Sequence, residues 1–233
     1  MTSVSAQNLV VTRSAYPAIA NSSFDLPKHH CTIVTGSNGS GKTTLLKAIA
    51  GIAEIERGTL TLDDGGQSVD YSDSRALRRT AAYIGHTPLF MRHISLIEHL
   101  QLCIAIDSNL KKTSDEQPKF VLTPEKAMEV FALAPRKNVR VEDLSAGQQR
   151  RLHLASAFVR STPLLCIDEP HSSLDEDSKK AIDEVLSEQF KNGRSLIIAT
   201  HDPQRIEPFA THHITIKNGV SSVSSIAKVE ESN

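Results

Sequence analysis

The 233-residue chain has no tryptophan, only three tyrosines and seven phenylalanines, and just three cysteines. So few aromatics leave no stacking platform of the kind that holds single-stranded nucleic acid. Three cysteines without paired spacing exclude a disulfide framework and a thiol-rich zinc site. Cys31 and Cys166 fall instead in apolar runs, where a thiol packs as a small hydrophobe and a reducing compartment is expected. No apolar run approaches the ~18 residues that a membrane helix needs, and no targeting pattern is read at the N-terminus. The expectation is a cytosolic chain, or one on the cytosolic face of a membrane. A formal net charge of −1 shows no bias toward nucleic acid, and the basic pairs Arg78-Arg79 and Lys111-Lys112 are scattered rather than striped.

What is present is a stretch around which the rest can be ordered. Gly36-Ser37-Asn38-Gly39-Ser40-Gly41-Lys42-Thr43 satisfies G-x-x-x-x-G-K-[ST] at every specified position. The apolar run from His30 to Thr35 predicts a buried strand before it, and Lys42 to Ile49 predicts a helix that starts inside the motif. Glycines let the backbone turn until its N–H groups converge, and the helix N-terminus adds partial positive charge at the same place. Such a loop holds phosphates. Lys42 is expected to reach the β- and γ-phosphates of a bound triphosphate, and the Thr43 hydroxyl to ligate Mg²⁺.

A second signature lies far downstream. Leu164-Leu165-Cys166-Ile167-Asp168 reads as a buried strand that delivers Asp168 and Glu169 at its carboxyl end, where open α/β sheets bind ligands. Asp168 is expected to hold Mg²⁺ and Glu169 to act as general base on the attacking water. A further strand, Ser195 to Thr200, ends at His201, placed to donate to the γ-phosphate.

Between and around these, the pattern predicts short β segments at 8–12 and 22–26 separated by a turn at Tyr16-Pro17, with Tyr16 a candidate for stacking on adenine. It also predicts a strand over 58–62, a strand over 81–86, and helical spacing from Met91 to Ile106. The polar stretch 107–117 reads as a surface linker. A helix capped by Thr123 with Pro124 at its first position should run to about Leu133. Another is expected from Leu144 to about Arg160, and a third from Asp175 to Phe190, stopped by Asn192-Gly193. The length suits one large α/β domain spanning 1–225, with a helical subdomain at about 88–162 and a polar tail at 226–233.

Leu144-Ser145-Ala146-Gly147-Gln148 is the most specific element, because together with the phosphate loop, the Asp168-Glu169 strand, the Ser-Leu-Asp turn ending at Asp175 and His201 it resembles the ATPase subunit of ATP-binding cassette (ABC) transporters. The resemblance covers nearly the whole chain. It implies a P-loop NTPase fold of the ABC type, with an antiparallel β lobe and an inserted α-helical subdomain. It implies ATP and Mg²⁺ as cofactors, with Gly36 to Thr44 on the phosphates in one subunit and Ser145, Gly147 and Gln148 reaching the same ATP from a second, head-to-tail subunit. Lys42, Glu169 and His201 would be the catalytic set, and Asp175 would couple the two sites. A separate transmembrane permease is implied, with the chain peripheral on the cytoplasmic face of the cell membrane, and its docking groove would lie along 86–100, with Met91, Ile94 and Ile97 exposed there. No nucleic acid partner is implied.

His86 departs from the family, which places a Mg²⁺-touching glutamine at that point. A neutral imidazole can ligate through one nitrogen, whereas its protonated form would repel the metal. Tyr83-Ile84-Gly85-His86, Leu144 to Arg151 and Cys166 to Pro170 are similar to the haem-exporter ATPases of cytochrome c maturation. ATPases of other small-molecule exporters, and soluble ABC proteins that act on ribosomes or DNA, stay open as alternatives.

Overall fold

Continuous apolar runs at 31–35, 164–168 and 195–199 have no polar face to offer water, so they pair with one another in the interior. The computed structural model describes residues 1–13, 16–65, 68–85, 87–88, 90–110, 118–172 and 174–226. In chain order the strands are β1 (Ser3–Arg13), β2 (Tyr16–Leu26), β3 (Cys31–Thr35), β4 (Arg57–Asp63), β5 (Ser68–Asp70), β6 (Ala81–Ile84), β7 (Leu164–Asp168), β8 (Ser195–Ala199), β9 (His212–Lys217) and β10 (Val220–Ser225). The α-helices are α1 (Lys42–Ile49), α2 (Ser74–Thr80), α3 (Leu96–Leu110), α4 (Pro124–Val130), α5 (Ala146–Phe158) and α6 (Glu176–Lys191).

Two sheets result. An antiparallel sheet has the order β2-β1-β4-β5, and a six-stranded sheet the order β10-β9-β3-β8-β7-β6. In the larger sheet β6, β7, β8, β3 and β9 run parallel, and only the β9/β10 hairpin is antiparallel. Its strands are buried on both faces, and alternation divides their side chains between two cores. Ile33, Leu165, Ile167, Leu196 and Ile198 pack toward a cluster built with α3, α4, α5 and α6. Val34, Leu164, Cys166 and Ile197 pack toward α1 and the antiparallel sheet.

Several helix ends follow from local chemistry. Thr123 caps α4 by accepting from Lys126 N, with Pro124 at the first position, as read from the sequence. The helix nevertheless ends at Val130, because Ala132 adopts a left-handed φ of 52°. The helical spacing seen from Met91 begins to form helix only at Leu96. There Ser95 and Glu98 make a reciprocal cap, with Ser95 N donating to Glu98 Oε2 at 2.8 Å and Glu98 N to Ser95 Oγ at 3.4 Å. Asp107 is not on a surface linker. It is buried on α3, accepts from Ser161 N at 2.7 Å and faces Arg160 Nε at 3.6 Å, tying α3 to the end of α5. Tyr16-Pro17 opens β2 instead of turning the chain, and Pro17 is tolerated because β2 is an edge strand.

The interior holds histidines that burial keeps neutral. His30 is fully buried, bonded through Nδ1 to Thr32 Oγ1 at 2.9 Å, and its Nε2 has no hydrogen-bond partner. Burial first, then the nearby His212 and His29, push it down to about 3. His153 is pushed down to about 4, mainly by burial. The unfolded chain takes up these protons below the ordinary histidine value of ~6.5 while the folded chain refuses them, so stability falls as pH drops through that window. For His30 the slope is about 1.4 kcal/mol per pH unit. The urea midpoint is expected to fall between pH 7 and pH 5, less steeply in His30→Gln. Identical slopes for the two proteins would show that His30 titrates normally.

Candidate active site

The loop between β3 and α1 carries the phosphate motif, and its lysine is folded across it. Lys42 Nζ donates to the carbonyls of Gly36 at 2.8 Å and Ser37 at 3.2 Å. A glycine-rich turn that leads into a helix N-terminus is suited to an anion, because its N–H groups and the helix dipole favour negative charge there. Thr43 follows Lys42 in the first turn of α1, and its hydroxyl donates to Asp168 Oδ2 at 2.5 Å. Asp168 is buried and is also held by the Tyr83 hydroxyl at 3.3 Å. Burial, together with the Asp168 charge beside it, pushes the Tyr83 phenol well above its ordinary value, so it stays a donor.

Glu169 leaves β7 with a left-handed φ of 53°. Its amide donates to Ala199 O at 2.9 Å, locking it to the end of β8. This turn aims its carboxylate along the rim. Oε2 accepts from His201 N at 3.3 Å, and Oε1 lies 3.3 Å from His201 Nε2 without a hydrogen bond's alignment. The Glu169 side chain is 15% exposed, with Oε1 itself buried, and that of His201 is 57% exposed. Asn38 to Thr44, Asp168, Glu169 and His201 share one open cavity of about 240 Å³, with Arg13 and Ala18 at its edge.

Thr43 and Asp168 supply a hydroxyl and a carboxylate oxygen in contact, donors that a hard divalent ion prefers. Among the described residues no group of three or more His, Cys, Asp or Glu is placed to hold a metal. The site therefore fits an ion that completes its shell with phosphate oxygens and water, which is how Mg²⁺ is bound beside a nucleotide.

Not every expected residue is in the cavity. Ser145, Ala146 and Gly147 are exposed at the start of α5, and a Cβ added at Gly147 would meet nothing within 4 Å. Ser145 and Gln148 form a capping box, with Gln148 N to Ser145 Oγ at 3.3 Å and Ser145 N to Gln148 Oε1 at 3.0 Å, so both side chains are engaged by their own helix. Asp175 caps α6 through Ser178 N at 2.8 Å and lies 4.0 Å from Arg151. Tyr16 is 78% exposed and does not line the cavity. Ile97 is a core residue rather than a surface one, while Met91 is exposed. His86 lies outside the described residues. Tyr83 was not foreseen at the site; its link to Asp168 follows from the parallel pairing of Tyr83 with Cys166, which no local pattern announces.

A phosphate-cradling loop after β3, an acid pair at the end of β7, one strand further across the same sheet, and a histidine after β8 between them define an ATPase of the P-loop class. The family model described as ABC transporter matches residues 19–172. The chain belongs to the ABC transporter family, and within it to the ATP-hydrolysing subunits. Similar curated proteins include the cytochrome c biogenesis ATP-binding export protein CcmA of Xanthomonas axonopodis pv. citri, 29% identical over 214 residues, which cover 92% of this chain and 94% of that protein. The CcmA of Vibrio cholerae is 30% identical over 195 residues, covering 84% and 89%. Among solved structures, an ATP binding subunit of an ABC transporter superposes with a TM-score of 0.80 at 25% identity, covering 96% of this chain and 90% of that one. The ATP-binding cassette MJ0796, in a dimeric post-hydrolysis state with ADP and Pi, gives 0.81 at 20% identity, covering 96% and 99%.

Proposed function

We propose that this chain powers an exporter by hydrolysing Mg²⁺-ATP between two head-to-tail copies, and that the exported cargo is haem for cytochrome c maturation. One observation carries the reading: Lys42, Thr43, Asp168, Glu169 and His201 meet in one cavity, while Ser145 and Gly147 stand exposed outside it. A helix N-terminus with free N–H groups is itself a phosphate site, so the cavity and the start of α5 can be the two halves of one ATP-binding site when a second copy supplies the other half.

Within each copy, 1–225 act as one nucleotide-binding domain, and the helices inserted at about 88–162 present Ser145, Gly147 and Gln148 to the neighbour. Lys42 leaves the carbonyls of Gly36 and Ser37 for the β- and γ-phosphates. Thr43 and Asp168 would hold Mg²⁺, which would supply neutralising charge beside the phosphates, and His86 is the third residue assigned to that ion. Glu169 takes the proton of the attacking water, and His201 donates toward the γ-phosphate. When ATP is spent, the ligand shared by the two copies is lost and they part. Asp175, at the turn before α6, lies where the sites communicate.

No helix among the described residues is long and apolar enough to cross a membrane, which suits a division of labour with a separate permease and a peripheral place on the cytoplasmic face. Met91, 57% exposed just before α3, is suited to an apolar contact with it. The haem cargo is supported by the CcmA relatives and by the sequence Tyr83-Ile84-Gly85-His86. The test is to trap the ATP-bound state with Glu169→Gln, recover it from native membranes and identify the membrane protein that accompanies it by mass spectrometry. A permease in the company of cytochrome c maturation proteins is expected. A different permease would discard haem and keep the transport mechanism, and a ribosomal or DNA-bound catch would overturn transport itself.

A further inference from the structure

Arg150 is the fifth residue of α5, one turn below the exposed Ser145 and Gly147, yet its side chain runs the other way, into the interior, where it is 8% exposed. Its guanidinium spans the carboxyl ends of two adjacent parallel strands. Nη1 donates to Gly85 O at 2.8 Å, immediately after β6, and Nη2 donates to Glu169 O at 2.7 Å, immediately after β7. Both carbonyls lie past the residues that the β6/β7 pairing joins. His153, three residues further along α5, adds a second contact to Gly85 O, from Nε2 at 3.0 Å. A carbonyl only accepts, so the neutral His153 ring carries its proton on Nε2.

The two carbonyls are not ordinary loop atoms. That of Glu169 belongs to the residue whose left-handed backbone aims its carboxylate, a conformation that is strained for a non-glycine residue and persists only when its surroundings hold it. That of Gly85 belongs to the peptide leading directly into His86. A planar fork with two donors on separate nitrogens holds both at a fixed spacing, a geometry that neither an ammonium nor a neutral amide reproduces.

We infer that Arg150 is a positioning residue, a strut by which α5 fixes the backbone of Glu169 and of Gly85 relative to each other. The inference rests on the reading of Glu169 as the base. It adds a route between active sites: the same helix whose exposed end meets the neighbour's ATP holds the carboxylate serving the ATP of its own subunit. The helix end and the strut are four residues apart on one rigid element.

The experiment is steady-state phosphate release together with Mg²⁺-ATP affinity by equilibrium dialysis, on the full purified chain. Arg150→Gln is expected to lower kcat roughly 100-fold, the usual effect of a small displacement of a catalytic group, with the ATP Kd unchanged within about threefold. Arg150→Lys keeps the charge but not the planar fork, and should recover about tenfold of the loss. A wild-type kcat in Arg150→Gln would overturn the strut. So would parallel loss of kcat and affinity with no recovery by lysine, which marks a merely structural role. Should the glutamine variant fail to fold, the lysine variant decides alone: kcat about tenfold down at unchanged affinity supports the strut, and a wild-type kcat removes it. Glu169→Gln is measured alongside. Normal turnover in that protein would overturn the assignment of the base, whereas an inert Glu169→Gln beside an unimpaired Arg150→Gln overturns only the strut.

Discussion

Glu169→Gln is expected to lower phosphate release by about 10²–10³-fold, the contribution of a positioned general base, while ATP binding stays close to that of the unaltered chain. The substitution keeps the size and shape of the side chain. It also keeps an oxygen that can accept from His201 N, as Oε2 does at 3.3 Å, so the rim should not rearrange. Only the capacity to take a proton is lost. With the phosphates assigned to the Gly36 to Thr44 loop and not to Glu169 in the proposed mechanism, affinity and turnover should separate cleanly. ATP-dependent dimers should then accumulate and be seen by size-exclusion chromatography with Mg²⁺-ATP. Equal phosphate release by the two proteins would place the base elsewhere.

Gly41→Ala should be as damaging by another route. Gly41 adopts φ +112° just before α1, and a Cβ there would lie 2.3 Å from the carbonyl oxygen of Ala18 and 2.7 Å from Ile19 Cδ1. Ala18 is backbone of β2, bound into the antiparallel sheet, so it has little freedom to withdraw. The loop itself must move, taking Lys42 and Thr43 away from the phosphates. Strain and overpacking together should cost about 3 kcal/mol of stability, and ATP affinity should fall by at least ~100-fold. Gly39→Ala is the internal comparison. Its φ is +80°, but a Cβ there meets nothing within 4 Å, so only the left-handed backbone penalty of about 1 kcal/mol remains. Thermal melts and ATP titrations of the two variants separate crowding from conformational strain. Equal effects would show that the contact with Ala18 is unimportant.

These residues differ in how far the sequence alone could reach them. The phosphate loop and α1 were legible because the motif and the helix start coincide, and Lys42–Ile49 is the observed helix. Strands β7 and β8 were legible because five-residue buried runs have no competing period. The misreadings share one cause, contacts distant in the chain. Asp107 looks like part of a polar linker until Ser161 and Arg160, more than fifty residues away, are brought beside it. Ile97 looks as available as Met91 until α3 is rotated onto the core. Tyr83 and Arg150 have ordinary local surroundings, and only the parallel pairing of β6 with β7 turns one toward Asp168 and the other onto two strand ends. The start of α3 is a different case: Ser95-Leu96-Ile97-Glu98 is a readable capping signal overshadowed by the apolar spacing from Met91.

The alternation along β7 sets a tolerance on chain length as well as on chemistry. Leu164 and Cys166 feed one core and Leu165 and Ile167 the other, and Asp168 is the next residue in that count. Deleting or inserting a single residue here would exchange the two sets of side chains between cores and shift the carboxylate by about 3.3 Å, one strand residue. Point substitutions among Leu, Ile, Val and Cys are mild by comparison, since they preserve that count. Homologous or engineered chains can therefore be expected to vary the letters between Leu164 and Asp168 far more readily than their number, making β7 a fixed ruler between the interior and the reacting phosphate.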